Sequence, residues 1–225
     1  GIQNEPKIYV ENNLDQNVWM QEEVWPPKSY KSYRVQGNGN QMIVDDLSQT
    51  IYDRKQKNTK AWLDELVLTQ NAHSLSFDLE IMKEDTRFAG RAKVSFRARI
   101  QQPTAILSAM LVEKGKQVRL TSNLDGDENR SFVFKMEDEP SDYFVITRGW
   151  MNAQNRLNNY SKEAIDPDTW YTYSFDFVSN DYTIPKGHTL SLILYGMDVD
   201  QTQLPFVVTK IEVDTTSIVC DCPIE

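Results

Sequence analysis

A chain of 225 residues with 40% hydrophobic content can bury one sizeable core, and all-β sandwiches reach this length as a single domain. Asp and Glu number 33 against 24 Lys and Arg, a formal net charge of −9, which argues against nucleic acid and anionic membrane surfaces as partners. No apolar run approaches the roughly 18 residues that span a bilayer, and the opening GIQNEPK lacks a basic stretch followed by an apolar one, so no membrane partner is expected.

In chain order, residues 1–36 hold short β-like pieces at 7–10, 18–23 and 29–35, with Pro26 and Pro27 suited to a strand end or edge because proline cannot donate to a ladder. Gly37 and Gly39 mark a turn. Residues 45–72 contain the one predicted helix: Asn58 or Thr59 can cap it, and Trp62, Leu63, Leu66 and Val67 fall on one stripe of an insertion lying on the sandwich surface. From Ser74 the period becomes two. Leu75, Phe77, Leu79 and Ile81 share a face, and Val94, Phe96, Ala98 and Ile100 alternate with Lys93, Ser95, Arg97 and Arg99. Residues 105–112 and 190–195 are almost continuously apolar, which predicts strands covered on both faces or central in a sheet. Asp125 and Gly126 signal a turn, with strands at 132–136 and 143–147 around the acidic loop 137–142. Residues 149–169 are predicted to be a long connection, and connections of that length are commonly functional or interfacial. Tyr171, Tyr173, Phe175 and Phe177 resume the alternation, and Val207, Thr209, Ile211 and Val213 close it. The prediction is one β-sandwich domain over 1–225, made of opening strands (1–36), a loop and helix insertion (45–72) and a main sandwich (74–225).

The chemistry is mostly exclusion. Glycines stand at 1, 37, 39, 90, 115, 126, 149, 187 and 196, so no pair has the spacing of a Gly-x-Ser-x-Gly nucleophile elbow or of a P-loop. The two histidines, His73 and His188, have nearby serines of the wrong strand parity, Ser76 and Ser191, and are expected to bond to loops at strand ends. Neither takes a catalytic role. Cys220 and Cys222 are too close in sequence for an unstrained disulfide and lack further zinc ligands, so they are expected to be reduced and metal-free in a tail beyond the last strong strand. The acid groups Asp45 with Asp46, Asp125 with Asp127, 137–139, and Asp198 with Asp200 each offer too few oxygens for calcium and are expected to be solvated loop faces. Trp19, Trp25, Trp62, Trp150 and Trp170 are scattered over five segments, which suits core and interface anchors better than a sugar platform.

Three stretches carry a resemblance: RFAGRAKVSFRARIQQPTAILSAMLVEKG at 87–115, RGWMNAQNR at 148–156 leading to Trp170 and Tyr171, and IPKGHTLSLILYGMDVD at 184–200. With Trp19, Trp25 and Pro26 near the start, they resemble the C-terminal domain of bacterial Xaa-Pro dipeptidyl-peptidases. The resemblance implies an all-β, two-sheet β-sandwich of jelly-roll (galactose-binding-like) type with a short helical insertion. It also implies a non-catalytic accessory domain whose parent is a cytoplasmic serine exopeptidase releasing N-terminal Xaa-Pro dipeptides, with the triad in a preceding α/β-hydrolase domain. The implied partners are that hydrolase domain of the same polypeptide and a second copy of the parent in a homodimer, with no cofactor and no metal. Arg148, Trp150, Arg156, Tyr160 and Trp170 have the arginine and aromatic content of an interface core and are the candidate contacts with the hydrolase domain. Two other readings stay open: a carbohydrate-binding jelly roll, and the C-terminal domain of a cocaine-esterase-like or acylase-type hydrolase.

Overall fold

The computed structural model describes residues 8–13, 18–27, 29–123, 133–204 and 207–224. Along the chain run β1 (Ile8–Glu11), β2 (Trp19–Glu22), β3 (Lys31–Arg34), β4 (Asn40–Asp45), α1 (Thr59–Leu68), β5 (Ser74–Ile81), β6 (Thr86–Gly90), β7 (Lys93–Ile100), β8 (Ile106–Gln117) and β9 (Leu120–Asn123). They are followed by β10 (Val133–Met136), β11 (Ser141–Asn152), β12 (Tyr171–Asp176), β13 (Asn180–Ile184), β14 (Thr189–Tyr195) and β15 (Thr209–Cys222). Two antiparallel sheets form a sandwich. One has the order β11-β8-β14-β5; the other has the order β12-β7-β15, with both β3 and β4 completing the far side of β15. Three two-stranded ribbons, β1-β2, β9-β10 and β6-β13, lie outside these sheets.

The core follows from strand parity. Val94, Phe96, Ala98 and Ile100 of β7, Tyr173 and Phe175 of β12, and Ile211 and Val213 of β15 face Leu107, Ala109 and Leu111 of β8 and Leu190, Leu192 and Leu194 of β14. Each large side chain buried this way contributes about 1.5–3 kcal/mol through area removed from water. The continuous apolar runs have the predicted cause: β8 and β14 are central, and their other face, Met110, Val112, Ile193 and Tyr195, is roofed by Trp62, Leu66 and Val67 of α1. Trp62 meets Tyr195 edge-on at 5.9 Å between centroids. Asn58 occupies the N-cap position, yet its side chain does not cap. Its Oδ1 accepts from Asp53 N at 2.6 Å and its Nδ2 donates to Ile51 O at 2.9 Å, tying down the approach to the helix.

In the five-stranded sheet two stretches differ from the sequence reading. Asn40–Asp45 is a strand of the main sheet rather than the sequel of a turn, and Cys220 and Cys222 belong to the last strand rather than to a tail. A register shift between Asp214 and Val219 explains the second difference. Ile211, Val213 and Thr215 point inward at odd positions, and beyond the irregularity Ile218, Cys220 and Cys222 point inward at even ones. A bulge reverses parity, so a period-two search ends at the irregularity although the strand continues. Both thiols are fully buried in the core with sulfurs 3.6 Å apart, and the hydrogen bond between them together with burial pushes the Cys222 thiol well up.

Candidate interdomain face around Trp150

Trp150, expected in the connection over 149–169, lies with Arg148 in strand β11. Gly149 between them masks the strand pattern. It is required where β11 meets the chain after β12, since a Cβ there would sit 2.6 Å from Asp176 O. Outward residues of β11 run from Tyr143 and Val145, packed beside α1, past a bulge to Arg148 and Trp150. Tyr143 donates its hydroxyl to Asp64 of α1 at 2.8 Å.

Arg148 is committed inward. Its Nη1 donates to both oxygens of the fully buried Asp198 at 3.2 Å and reaches Asp200 at 3.4 Å. Asp198 also accepts from the Tyr195 hydroxyl at 2.6 Å and from the backbone N–H groups of Asp200 and Gln201 at 3.0 and 3.1 Å. Burial opposes the charge of Arg148, but the fields of Asp198, Tyr195 and Asp200 outweigh it and raise its pKa; burial and Asp198 likewise push the Tyr195 hydroxyl well up. Of the acid pair Asp198 and Asp200, Asp198 is therefore an internal counter-ion rather than a solvated loop carboxylate, while Asp200 stays at the surface.

Trp150 stands opposite Ser108 of β8 with 37% of its surface exposed. Three shallow grooves meet at it: one lined by Lys93, Arg156, Leu157 and Asp176, one by Arg148, Val178, Asn180 and Gln201, and one by Arg91, Phe177 and Ser179. The loop after β11 forms the rim and is tightly built. Arg156 donates to Glu163 O at 3.2 Å and Ala164 O at 2.8 Å, with its guanidinium 4.2 Å from the Tyr171 ring centre. Asn158 Oδ1 accepts from Tyr160 N and Ser161 N at 2.8 and 2.9 Å, an Asx turn, and Asn155 Nδ2 donates to Ser161 O at 3.0 Å. This frame holds Tyr160 99% exposed, with Leu157 and, across the groove, Val178 exposed as well. Trp170 lies elsewhere, on the outer surface of the other sheet. There Arg97 and Arg99 sit over its ring at 5.7 and 5.4 Å and pair with Asp214 and Glu212. Of the five candidates, then, Trp150 and Arg156 line one groove, Arg148 lines the neighbouring one while bonding inward, Tyr160 follows Asn158 and Asn159 of the groove rim, and Trp170 is apart from them.

The remaining polar residues are structural. His73 Nδ1 and Nε2 face Val44 O and Gln49 O at 2.9 and 3.2 Å, and Ser191 donates to Asp78 at 2.7 Å. His188 Nδ1 contacts Glu113, a fully buried carboxylate that also takes two bonds from Arg119 Nη2 at 2.8 Å and one from the Tyr182 hydroxyl at 2.9 Å. Glu113 was not legible as a network centre, because it follows an apolar run and its partners are distant in sequence. The turn at Asp125 and Gly126, and Asp127 with it, lie outside the described residues.

Residues 1–219 fit the family model described as the X-Pro dipeptidyl-peptidase C-terminal non-catalytic domain. The chain belongs to this family. Among curated relatives it is 26% identical to the Xaa-Pro dipeptidyl-peptidase of Ligilactobacillus salivarius over 98% of this chain and 30% of that protein. It is 25% identical to the Xaa-Pro dipeptidyl-peptidase of Streptococcus thermophilus over 88% of this chain and 27% of that protein. The X-Pro dipeptidyl-peptidase C-terminal domain thus spans about 30% of the length of such relatives. Solved structures share the fold. An α-amino acid ester hydrolase matches with TM-score 0.66 and 13% identity over 96% of this chain and 41% of that one. An aminopeptidase from a marine sediment archaeon matches with TM-score 0.64 and 14% identity over 93% of this chain and 39% of that one.

Proposed function

We propose that this domain is the accessory C-terminal sandwich of a serine exopeptidase that releases N-terminal Xaa-Pro dipeptides, and that the Trp150–Tyr160 face docks on the hydrolase domain of the same polypeptide and shapes its active-site entrance. The observation carrying this is the presentation of Tyr160: a wholly exposed aromatic ring on a loop whose backbone is fixed by Asn158, Asn155 and Arg156. A side chain displayed at such conformational cost, next in sequence to the groove-lining Asn158 and Asn159, has the character of an anchor awaiting a surface. Relatives at 25–26% identity favour an Xaa-Pro parent over an ester hydrolase, for which the likeness is one of fold. The eight principal strands β4, β5, β7, β8, β11, β12, β14 and β15 occur in the orders 12-7-15-4 and 11-8-14-5, which supports a jelly roll.

Tyr160→Ser tests the docking. In the isolated 225-residue chain the change should leave stability within about 0.5 kcal/mol, as for an exposed surface position. In the complete polypeptide it should lower the unfolding midpoint of the coupled domains and raise KM for Xaa-Pro arylamides, an anchor being worth about 2 kcal/mol or more. Unchanged melting and kinetics in the complete polypeptide would remove the assignment.

A further inference from the structure

The turn that joins β3 to β4 carries the sole Asn-Gly pair of the sequence, Asn38 followed by Gly39. β3 pairs with residues 219–222 of β15 and β4 with residues 209–214, so residues 35–39 cross the irregular stretch of β15 between them. That crossing is pinned on Thr215, which is fully buried. Thr215 N and Oγ1 donate to Gly39 O at 3.1 and 2.6 Å, and Val35 N donates to Ile218 O at 3.1 Å. Gly37 lies so close that a Cβ there would sit 2.2 Å from Thr215 Oγ1. The backbone is therefore fixed on both sides of Asn38, while the Asn38 side chain is exposed.

Three features around that side chain favour one reaction. Gly39 has φ +107° and nothing within 4 Å of where a Cβ would stand, so the space beside its nitrogen is open on that side. Its N–H makes no hydrogen bond among the described residues, so none has to break before that nitrogen loses its proton. Gln41 Nε2 donates to Asn38 Oδ1 at 2.9 Å, which polarises the amide carbonyl and places a donor where negative charge would develop. Asn152 is the contrasting case. Its Oδ1 accepts from Gln154 N at 2.9 Å, and the N–H that follows it, on Ala153, donates to Ala105 O at 2.9 Å.

We propose that Asn38 is a site of spontaneous deamidation in the folded protein, with water as co-reactant, and that its isoaspartate product loosens the seam where β3 and β4 meet β15. The Gly39 nitrogen gives its proton to hydroxide and forms a bond to Asn38 Cγ. Nδ2 takes up a proton and leaves as ammonia, closing a five-membered imide, which water then opens. Attack at Cγ breaks the new bond to nitrogen and yields aspartate on the original backbone. Attack at the main-chain carbonyl breaks the original peptide bond and yields isoaspartate, with the backbone running through Cγ. Both products add negative charge to the turn. Isoaspartate also lengthens the backbone ahead of Gly39, which draws Gly39 O away from Thr215 and leaves a buried hydroxyl and N–H without their acceptor.

Peptide mapping of the complete polypeptide, incubated folded at neutral and at mildly alkaline pH, decides it. The expected result is the mass gain of an amide-to-carboxylate exchange at Asn38, several-fold faster than at Asn152 and faster at the higher pH, with isoaspartate detected by a protein isoaspartyl methyltransferase. Conversion in urea but not in the folded protein, or a folded rate no greater than that of Asn152, overturns the proposal. Gln41→Met should slow the conversion several-fold, and an unchanged rate overturns the activation assigned to Gln41. Asn38→Gln, altered at an exposed position and unable to close the five-membered ring, should abolish the signal; a signal that persists overturns the assignment to Asn38. Protein carrying isoaspartate should unfold at lower urea than an Asn38→Asp variant of the same charge, and equal midpoints overturn the loosening of the seam.

Discussion

Glu113 is the position at which one substitution tests most of the buried polar architecture. Its carboxylate is fully buried, it is bonded by Arg119, Tyr182 and His188, and the Arg119 side chain is itself only 5% exposed. Glu113→Ala leaves a guanidinium in the interior with backbone and Ser141 oxygens as its remaining acceptors. Breaking one partner of a buried ion pair costs about 3–5 kcal/mol, because the orphaned charge has neither water nor counter-ion. For a domain of this size that corresponds to a fall in Tm of roughly 6–20 °C. Glu113→Leu combined with Arg119→Leu removes both charges and should cost clearly less than the sum of the two single changes, since neither partner is then stranded. Lys60→Ala is the control: its pair with Asp64 is mostly exposed and worth no more than about 0.5 kcal/mol. Urea unfolding of the 225-residue chain at pH 7, followed by tryptophan fluorescence, measures Glu113→Ala, Lys60→Ala, the double leucine variant and its two single changes. A Glu113→Ala loss no larger than that of Lys60→Ala, or strict additivity in the double variant, would refute the reasoning.

Replacing Cys220 and Cys222 by Ser should destabilise the chain by about 1–3 kcal/mol at each site, because a hydroxyl buried among apolar neighbours is poorly satisfied; an unchanged thermal midpoint would place the pair outside the core. Gly149→Ala drives a Cβ to 2.6 Å from Asp176 O and should cost about 1–3 kcal/mol by chemical denaturation, whereas a neutral result would mean that the two segments separate freely. Burial raises the Asp45 carboxyl from 3.8 to about 6, with one backbone bond from Met197 opposing it. A raised folded pKa gives a stabilising contribution that is complete below pH 4 and lost as pH rises through 6, amounting to about 3 kcal/mol. Asp45→Asn should therefore match the parent near pH 4 and exceed it above pH 6, and a stability difference that does not vary with pH would exclude this.

The parts of the fold that could be read were those in which one residue determines its own face. Arg97 and Arg99 cannot be buried unpaired, so Val94, Phe96 and Ala98 must point inward. Leu190 and Leu192 beside Ser191 and Ile193 say only that both faces are covered, and the cover, Trp62 and Leu66, was visible as a helical stripe. What could not be read depends on pairs distant in the chain. The bulge in β15 is defined against β7, Glu113 finds Tyr182 and His188 only after the sheets have assembled, and Arg148 looks like an exposed arm until Asp198 is seen beneath it. The aromatic and arginine content of 148–170 pointed to Trp150 and Tyr160, but Trp170 belongs to a different surface because a strand boundary turns it away.

The position of β15 also bears on the order of synthesis. Lys31–Arg34 and Asn40–Asp45 are made early, yet their ladder partners are Val219–Cys222 and Thr209–Asp214. On a ribosome both strands must wait, unpaired at their edges, for nearly the whole domain to emerge, and contacts of such long sequence separation form slowly. The five-stranded sheet is therefore completed by its most C-terminal strand. A stop codon anywhere before Thr209 would release a chain with three strands lacking their central neighbour, prone to pair with other chains instead.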